Sequence, residues 1–194
     1  MSIKTKKSIL EICVDSVESA IAAAEGGADR LELCSNLVIG GTTPSAALFK
    51  EIRKVTNIPI RALIRPRFGD FCYTDYEFSI IREEVRMFKE LGADGVVIGI
   101  LKNDGSLDMQ RMKVLMEDAE GISVTLHRAF DVCANPYETL EQAKELGVDT
   151  ILTSGQKNNC LEGKELLKEL VSLAGEDINI LAGSGAVSYT HLRA

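Results

Sequence analysis

Three junctions along the chain are near-copies of one another: Glu25-Gly-Gly-Ala-Asp29, Glu90-Leu-Gly-Ala-Asp94 and Glu145-Leu-Gly-Val-Asp149. Each reads as a helix end, a glycine that stops it, and the beginning of an apolar strand. A recurring unit of strand, loop, helix, glycine and strand leaves few folds open. Alternating β and α elements call for a parallel sheet with helices outside. The apolar runs predict seven strands, at 9–14, 31–34, 59–64, 95–101, 122–127, 150–154 and 178–182. At about 25–30 residues per unit they fit a (β/α)8 TIM-type barrel, here incomplete with about seven strands. An open, doubly wound sheet is the alternative. The lack of Gly-x-Gly-x-x-Gly after the first strand counts against its dinucleotide-binding form, so no nucleotide cofactor is expected.

The helix signals agree with that frame. Asp15 and Glu18 read as the capping box of the first helix, and Thr43-Pro44 as the start of the second. That second helix is expected to bury Ala47, Leu48, Ile52 and Val55. Thr74 with Glu77, and Asn135-Pro136, open two later ones. One barrel domain lacking its last unit is expected over 1–187. The closing stretch, 188–194, matches neither strand nor helix and reads as a non-native tail; a sheet ending there would keep unpaired edges.

Composition narrows the partners. A formal net charge of -7 gives no footprint for nucleic acid or anionic lipid. No apolar stretch approaches the roughly 20 residues of a membrane span. The first eight residues lack a secretory apolar core, and five scattered cysteines, an odd number, suit reduced thiols in a cytoplasm.

One short phrase occurs twice, Leu10-Glu11-Ile12-Cys13 and Leu31-Glu32-Leu33-Cys34. Strand side chains alternate faces, so Glu11 with Cys13, and Glu32 with Cys34, should share the inner surface of neighbouring parallel strands. Two soft ligands without Cys-x-x-Cys suit Cu(I) better than four-coordinate zinc. Adjacent strands feed alternate layers of a barrel, which would offset the two sulfurs in height. Structural thiols are the plainer reading.

Further polar residues fall at strand ends, where barrels keep their sites: Arg65, Arg67, His127, Arg128, Asp131, Ser154 and the Gly183-Ser184-Gly185 turn. Arg65, Arg67, Arg128, Ser154, Gly183 and Ser184, with Glu11, would hold an anionic or sugar-like small molecule. Glu32 or His127 would move protons, with Asp131 holding the imidazole. A purely structural ion network among the three carboxylates and three arginines is the competing account.

From Ile9 to Val187 the chain resembles the CutC copper homeostasis family. The resemblance rests on Leu10-Glu-Ile-Cys-Val14, Gly27-Ala-Asp-Arg-Leu-Glu-Leu-Cys34, Gly40-Gly-Thr-Thr-Pro44, Ile64-Arg-Pro-Arg67, Gly95-Val-Val-Ile-Gly99, Thr125-Leu-His-Arg-Ala-Phe-Asp131 and Ile151-Leu-Thr-Ser-Gly-Gln156. It implies a cytoplasmic barrel that handles copper, binds Cu(I) at Cys13 and Cys34, and self-associates. An uncharacterised barrel enzyme acting on a small metabolite remains the alternative.

Overall fold

A computed structural model describes residues 8–185, so the expected tail at 188–194 lies outside the described residues. Seven parallel strands form one sheet in sequence order: β1 (Glu11–Val14), β2 (Arg30–Leu33), β3 (Ile60–Leu63), β4 (Gly95–Ile98), β5 (Ser123–Leu126), β6 (Thr150–Thr153) and β7 (Asn179–Ala182). Consecutive order without a switch point excludes the doubly wound alternative. The sheet curls into a half-barrel, with β1 and β7 as its margins among the described residues.

Helices α1 (Val17–Glu25), α2 (Ala46–Val55), α3 (Asp75–Glu90), α4 (Met109–Asp118), α5 (Pro136–Leu146) and α6 (Lys164–Ala174) alternate with the strands. Two caps differ from expectation. Helix α1 is capped by Ser16, whose hydroxyl accepts from the Ser19 amide at 3.0 Å while the Ser19 hydroxyl turns back to the Ser16 amide. A Ser pair closes this box in place of Asp15 and Glu18. Helix α2 begins after Ser45, not at Thr43-Pro44; Ile52 is buried and Leu48 partly buried as expected, while Phe49 is buried and Ala47 and Val55 are exposed. The Thr74–Glu77 box and the Asn135-Pro136 start stand as read.

Burial follows from strand alternation. Leu31, Leu33, Ile60, Ala62, Val96, Ile98, Val124, Leu126 and Ile151 join the main core with the helices. The opposite face holds only a small apolar knot of Cys34, Leu63 and Val97, amid polar side chains. The sheet therefore turns its fat face outward and its chemistry inward.

The repeated junctions build the floor, at the amino ends of the strands. Gly27, Gly92 and Gly147 all have φ between 77° and 88°, the left-handed turn that only glycine adopts freely. The aspartate two residues later then reaches across to the preceding strand. Asp29 Oδ2 accepts from the Leu10 amide at 2.9 Å, Asp94 Oδ2 from Ile60 at 2.9 Å, and Asp149 Oδ2 from Val124 at 2.7 Å. Three copies of one sequence make three copies of one latch.

Candidate functional site

The carboxyl ends of the strands surround a cavity of about 690 Å³. Its lining includes Glu11, Cys13, Glu32, Cys34, Arg65, His127, Arg128, Asp131, Gly183 and Ser184. Arg67 and Ser154, placed in the site by sequence, are absent from that lining.

Register sets the heights of the first group. Cys13 stands beside Glu32, and Glu11 beside Arg30, so Cys34 lies one layer above Cys13. The offset expected from barrel layering is present. The Cys34 amide donates to Val14 O at 3.0 Å, and its Sγ lies 3.6 Å from the same oxygen. Cys34 is buried; Cys13 opens onto the concave wall, where solvent reaches it although protein surrounds it. Below them Arg30 donates to Glu11, and Arg61 donates to the Thr125 and Thr150 hydroxyls, the latter at 3.2 Å.

Among the described residues no cation lowers the pKa of either thiol. The Glu32 carboxyl, then burial, then Cys34 and Glu11 push Cys13 far above an ordinary thiol. Burial and then Glu32 push Cys34 up to about 12. Burial, with Glu11 beside it, holds Glu32 well above the usual carboxylate range, against the pull of Arg30 and Arg61. Without metal, both thiols are protonated at neutral pH.

The second group gathers around Phe71. Arg65 is 8% exposed and its guanidinium donates to the carbonyls of Gly40 (3.3 Å), Gly41 (3.1 Å) and Gly69 (2.8 Å). Thr43, freed from capping, pins the arginine backbone: its amide donates to Arg65 O and its hydroxyl accepts from Arg65 N, both at 2.9 Å. The Arg65 Cζ sits 4.8 Å from the Phe71 centroid, and the His127 ring lies 4.7 Å from it on a tilt of 45°. Gly99 gives the imidazole its room, since a Cβ there would stand 2.6 Å from His127 Cε1.

His127 is not placed as a general base held by Asp131. It caps the 3-10 helix Arg128–Val132, and its Nδ1 accepts from the Ala129 amide at 3.2 Å. The imidazole proton therefore belongs on Nε2. Burial, reinforced by Arg65, lowers the His127 pKa to about 3, so the ring is neutral and a donor.

Asp131 serves another purpose. It accepts from the Ser154 amide and hydroxyl at 3.0 Å, the Gln156 amide at 3.2 Å, the Thr153 hydroxyl and Arg128 Nε at 2.7 Å. It clamps the loop after β6 to the segment after β5, and Ser154 is consumed in that clamp. Arg67 is consumed as well: it donates to Glu77 and Asp70 and stacks over Tyr73 at 5.1 Å. In the Gly183-Ser184-Gly185 turn, Ser184 is tied to Asn158 O at 3.0 Å.

Four buried side-chain polar atoms lack a hydrogen-bond partner among the described residues: Glu32 Oε2, Arg65 Nε, His127 Nε2 and Tyr73 OH. Three of them belong to cavity-lining residues. Phe71, which organises two of these, was missed by sequence reasoning; an aromatic in a loop carries no signal of its own.

The CutC family pattern matches residues 8–191. A family protein CutC of Histophilus somni (strain 2336) is 47% identical over 176 residues, which span 91% of this chain and 72% of that protein. The chain belongs to the CutC family. A crystal structure of the CutC protein from Streptococcus agalactiae superposes with a TM-score of 0.88 at 32% identity, covering 94% of this chain and 90% of the other. The dehydroquinate dehydratase and shikimate dehydrogenase of S. pombe superposes with a TM-score of 0.62 at 17% identity over 92% of this chain and 37% of that one, which speaks to the shared barrel fold alone. No helix among the described residues is long and apolar enough to cross a membrane.

Proposed function

We propose that this CutC chain takes part in copper homeostasis by holding Cu(I) between Cys13 and Cys34 at the mouth of the half-barrel. The observation that carries the reading is that both thiols line one cavity from neighbouring strands, close enough for a charge on Cys34 to raise Cys13. Thiolate sulfur is a soft donor suited to Cu(I). Among the described residues no cluster of three or more His, Cys, Asp or Glu side chains is arranged to hold a metal ion.

The metal must displace two protons to bind, since the surroundings keep the thiols neutral. Glu32, then burial, Cys34 and Glu11 oppose thiolate formation at Cys13 in the empty pocket. Copper is cargo in this reading. A cytoplasmic setting and self-association belong to it too, and sedimentation with and without Cu(I) tests the latter.

The decisive experiment is an anaerobic Cu(I) titration against a competing chelator. Wild type should compete, and the Cys13→Ala, Cys34→Ala double variant should not. Equal competition by the two proteins would remove the thiols from the site.

A further inference from the structure

We propose that the Arg65–Phe71–His127 wall of the cavity is a binding site for a small organic carboxylate, distinct from the thiol pair and independent of the copper reading.

Arg65 carries a full charge, because a guanidinium does not deprotonate in proteins. It is more than nine-tenths buried, yet its bonded partners are neutral carbonyls and no carboxylate pairs with it among the described residues. Tyr73 engages the guanidinium through its hydroxyl, and a phenol leaves the charge uncompensated. An isolated buried cation is costly unless an anion arrives to match it. The protein supplies anions to its other mouth arginines: Asp131 to Arg128, and Glu77 with Asp70 to Arg67. Of the two described arginines that line the cavity, Arg128 has its carboxylate and Arg65 has none.

His127 supplies the second contact. With Nδ1 occupied by the Ala129 amide, Nε2–H is a buried donor without a partner. Phe71 touches both groups and so holds the two donors on one wall. The unspent His127 Nε2–H beside the uncompensated Arg65 charge matches the acceptor oxygens and single charge of a carboxylate. A phosphate dianion would need a second free cation. Leu63, Leu152 and Leu181 line the same cavity and would receive an apolar body.

The test uses the whole chain, phenylacetate and its neutral isostere phenylacetamide, followed by calorimetry and by the His127 imidazole resonances at pH 7. Phenylacetate should bind at least about tenfold more tightly than the amide and shift the Nε2–H signal. Inorganic phosphate should do no better than the amide. His127→Phe keeps a ring against Phe71, removes the donor and should weaken phenylacetate about tenfold. The Cys13→Ala, Cys34→Ala variant should bind phenylacetate as wild type does. Arg65 variants risk unfastening the Gly40–Gly41 and Gly69 loops, so the wild-type comparison of the two ligands decides. Equal binding of acid and amide, an unmoved His127 signal, tighter phosphate, or loss of phenylacetate binding in the double-cysteine variant would each overturn the proposal.

Discussion

The two ends of the half-barrel handle polar groups in opposite ways. On the floor, every latch carboxylate is spent: Asp29, Asp94 and Asp149 each accept a backbone amide from the preceding strand, and Asp94 also pairs with Arg53. At the mouth, Glu32, Arg65 and His127 keep buried polar atoms without partners. Buried polar groups are ordinarily paired within the protein, so these three stand apart from the floor carboxylates. The mouth therefore keeps donors and acceptors available around one cavity, whereas the floor spends its carboxylates on strand amides.

The sharpest way to exploit that contrast is through protons at the thiols. Both are held neutral by burial and by neighbouring carboxyls, so Cu(I) binding should release two protons. Its affinity should then rise about a hundredfold per pH unit near neutrality, the proportionality expected for two protons displaced. A chelator competition between pH 6 and 8 measures the slope. A slope near zero would mean that the ligands are not these thiols.

One mouth residue should behave like the floor. Asp131 is nearly buried and accepts from Thr153, Ser154, Gln156 and Arg128. Asp131→Ala would strand those donors and should cost about 3 kcal/mol in denaturant unfolding. A loss below about 1 kcal/mol would return Asp131 to the open side of the comparison.

Legibility in the sequence divides along the same line. The strand order and the parallel sheet were readable because periodicity and the Gly-x-Asp junctions are local signals. Glu11, Cys13, Glu32 and Cys34 were readable as inward because a strand alternates faces. The fates of Arg65 and Arg67 were not. The two flank one proline, yet Arg67 is drawn off by Glu77, ten residues away on α3, while Arg65 meets only carbonyls. Asp131, spaced four residues from His127, looked like its orienting partner. A 3-10 turn between them sends the carboxylate to β6 instead and hands Nδ1 to Ala129. Such choices are made by tertiary neighbours. The Asp15–Glu18 box gave way to Ser16–Ser19 for a smaller reason, since two adjacent residues could both cap and only the backbone angle selects one.

His127 provides a test on the open side. Its folded pKa lies near 3, below the ordinary value of 6.5 that it regains on unfolding. Below pH 6.5 the unfolded chain therefore binds a proton that the native state refuses. Wild type should lose stability as pH falls from about 6.5 toward 3, by about 1.4 kcal/mol per unit from this group. The clean measurement is the difference between wild type and His127→Phe, which cancels the other titrating groups. That difference should be nearly flat above pH 7 and move by about 2–3 kcal/mol in favour of the variant by pH 4.5. A flat difference down to pH 4.5 would show an imidazole that protonates in place.

The smallest effect belongs to the floor. Removing the Asp149 carboxylate deprives the Val124 amide of its acceptor, but the latch is open to water, which can take over part of the bond. Asp149→Ala should therefore cost about 1 kcal/mol, with Asn recovering some of it through its amide oxygen. Because the latch aligns β5 with β6, hydrogen exchange at Val124 should rise while exchange at the mouth stays unchanged. Asp94→Ala should cost somewhat more, since the same carboxylate also pairs with Arg53. If instead Asp149→Ala loosened the Phe71 and His127 wall, the two ends would be mechanically one, and a ligand at the mouth would be felt at the base of every strand.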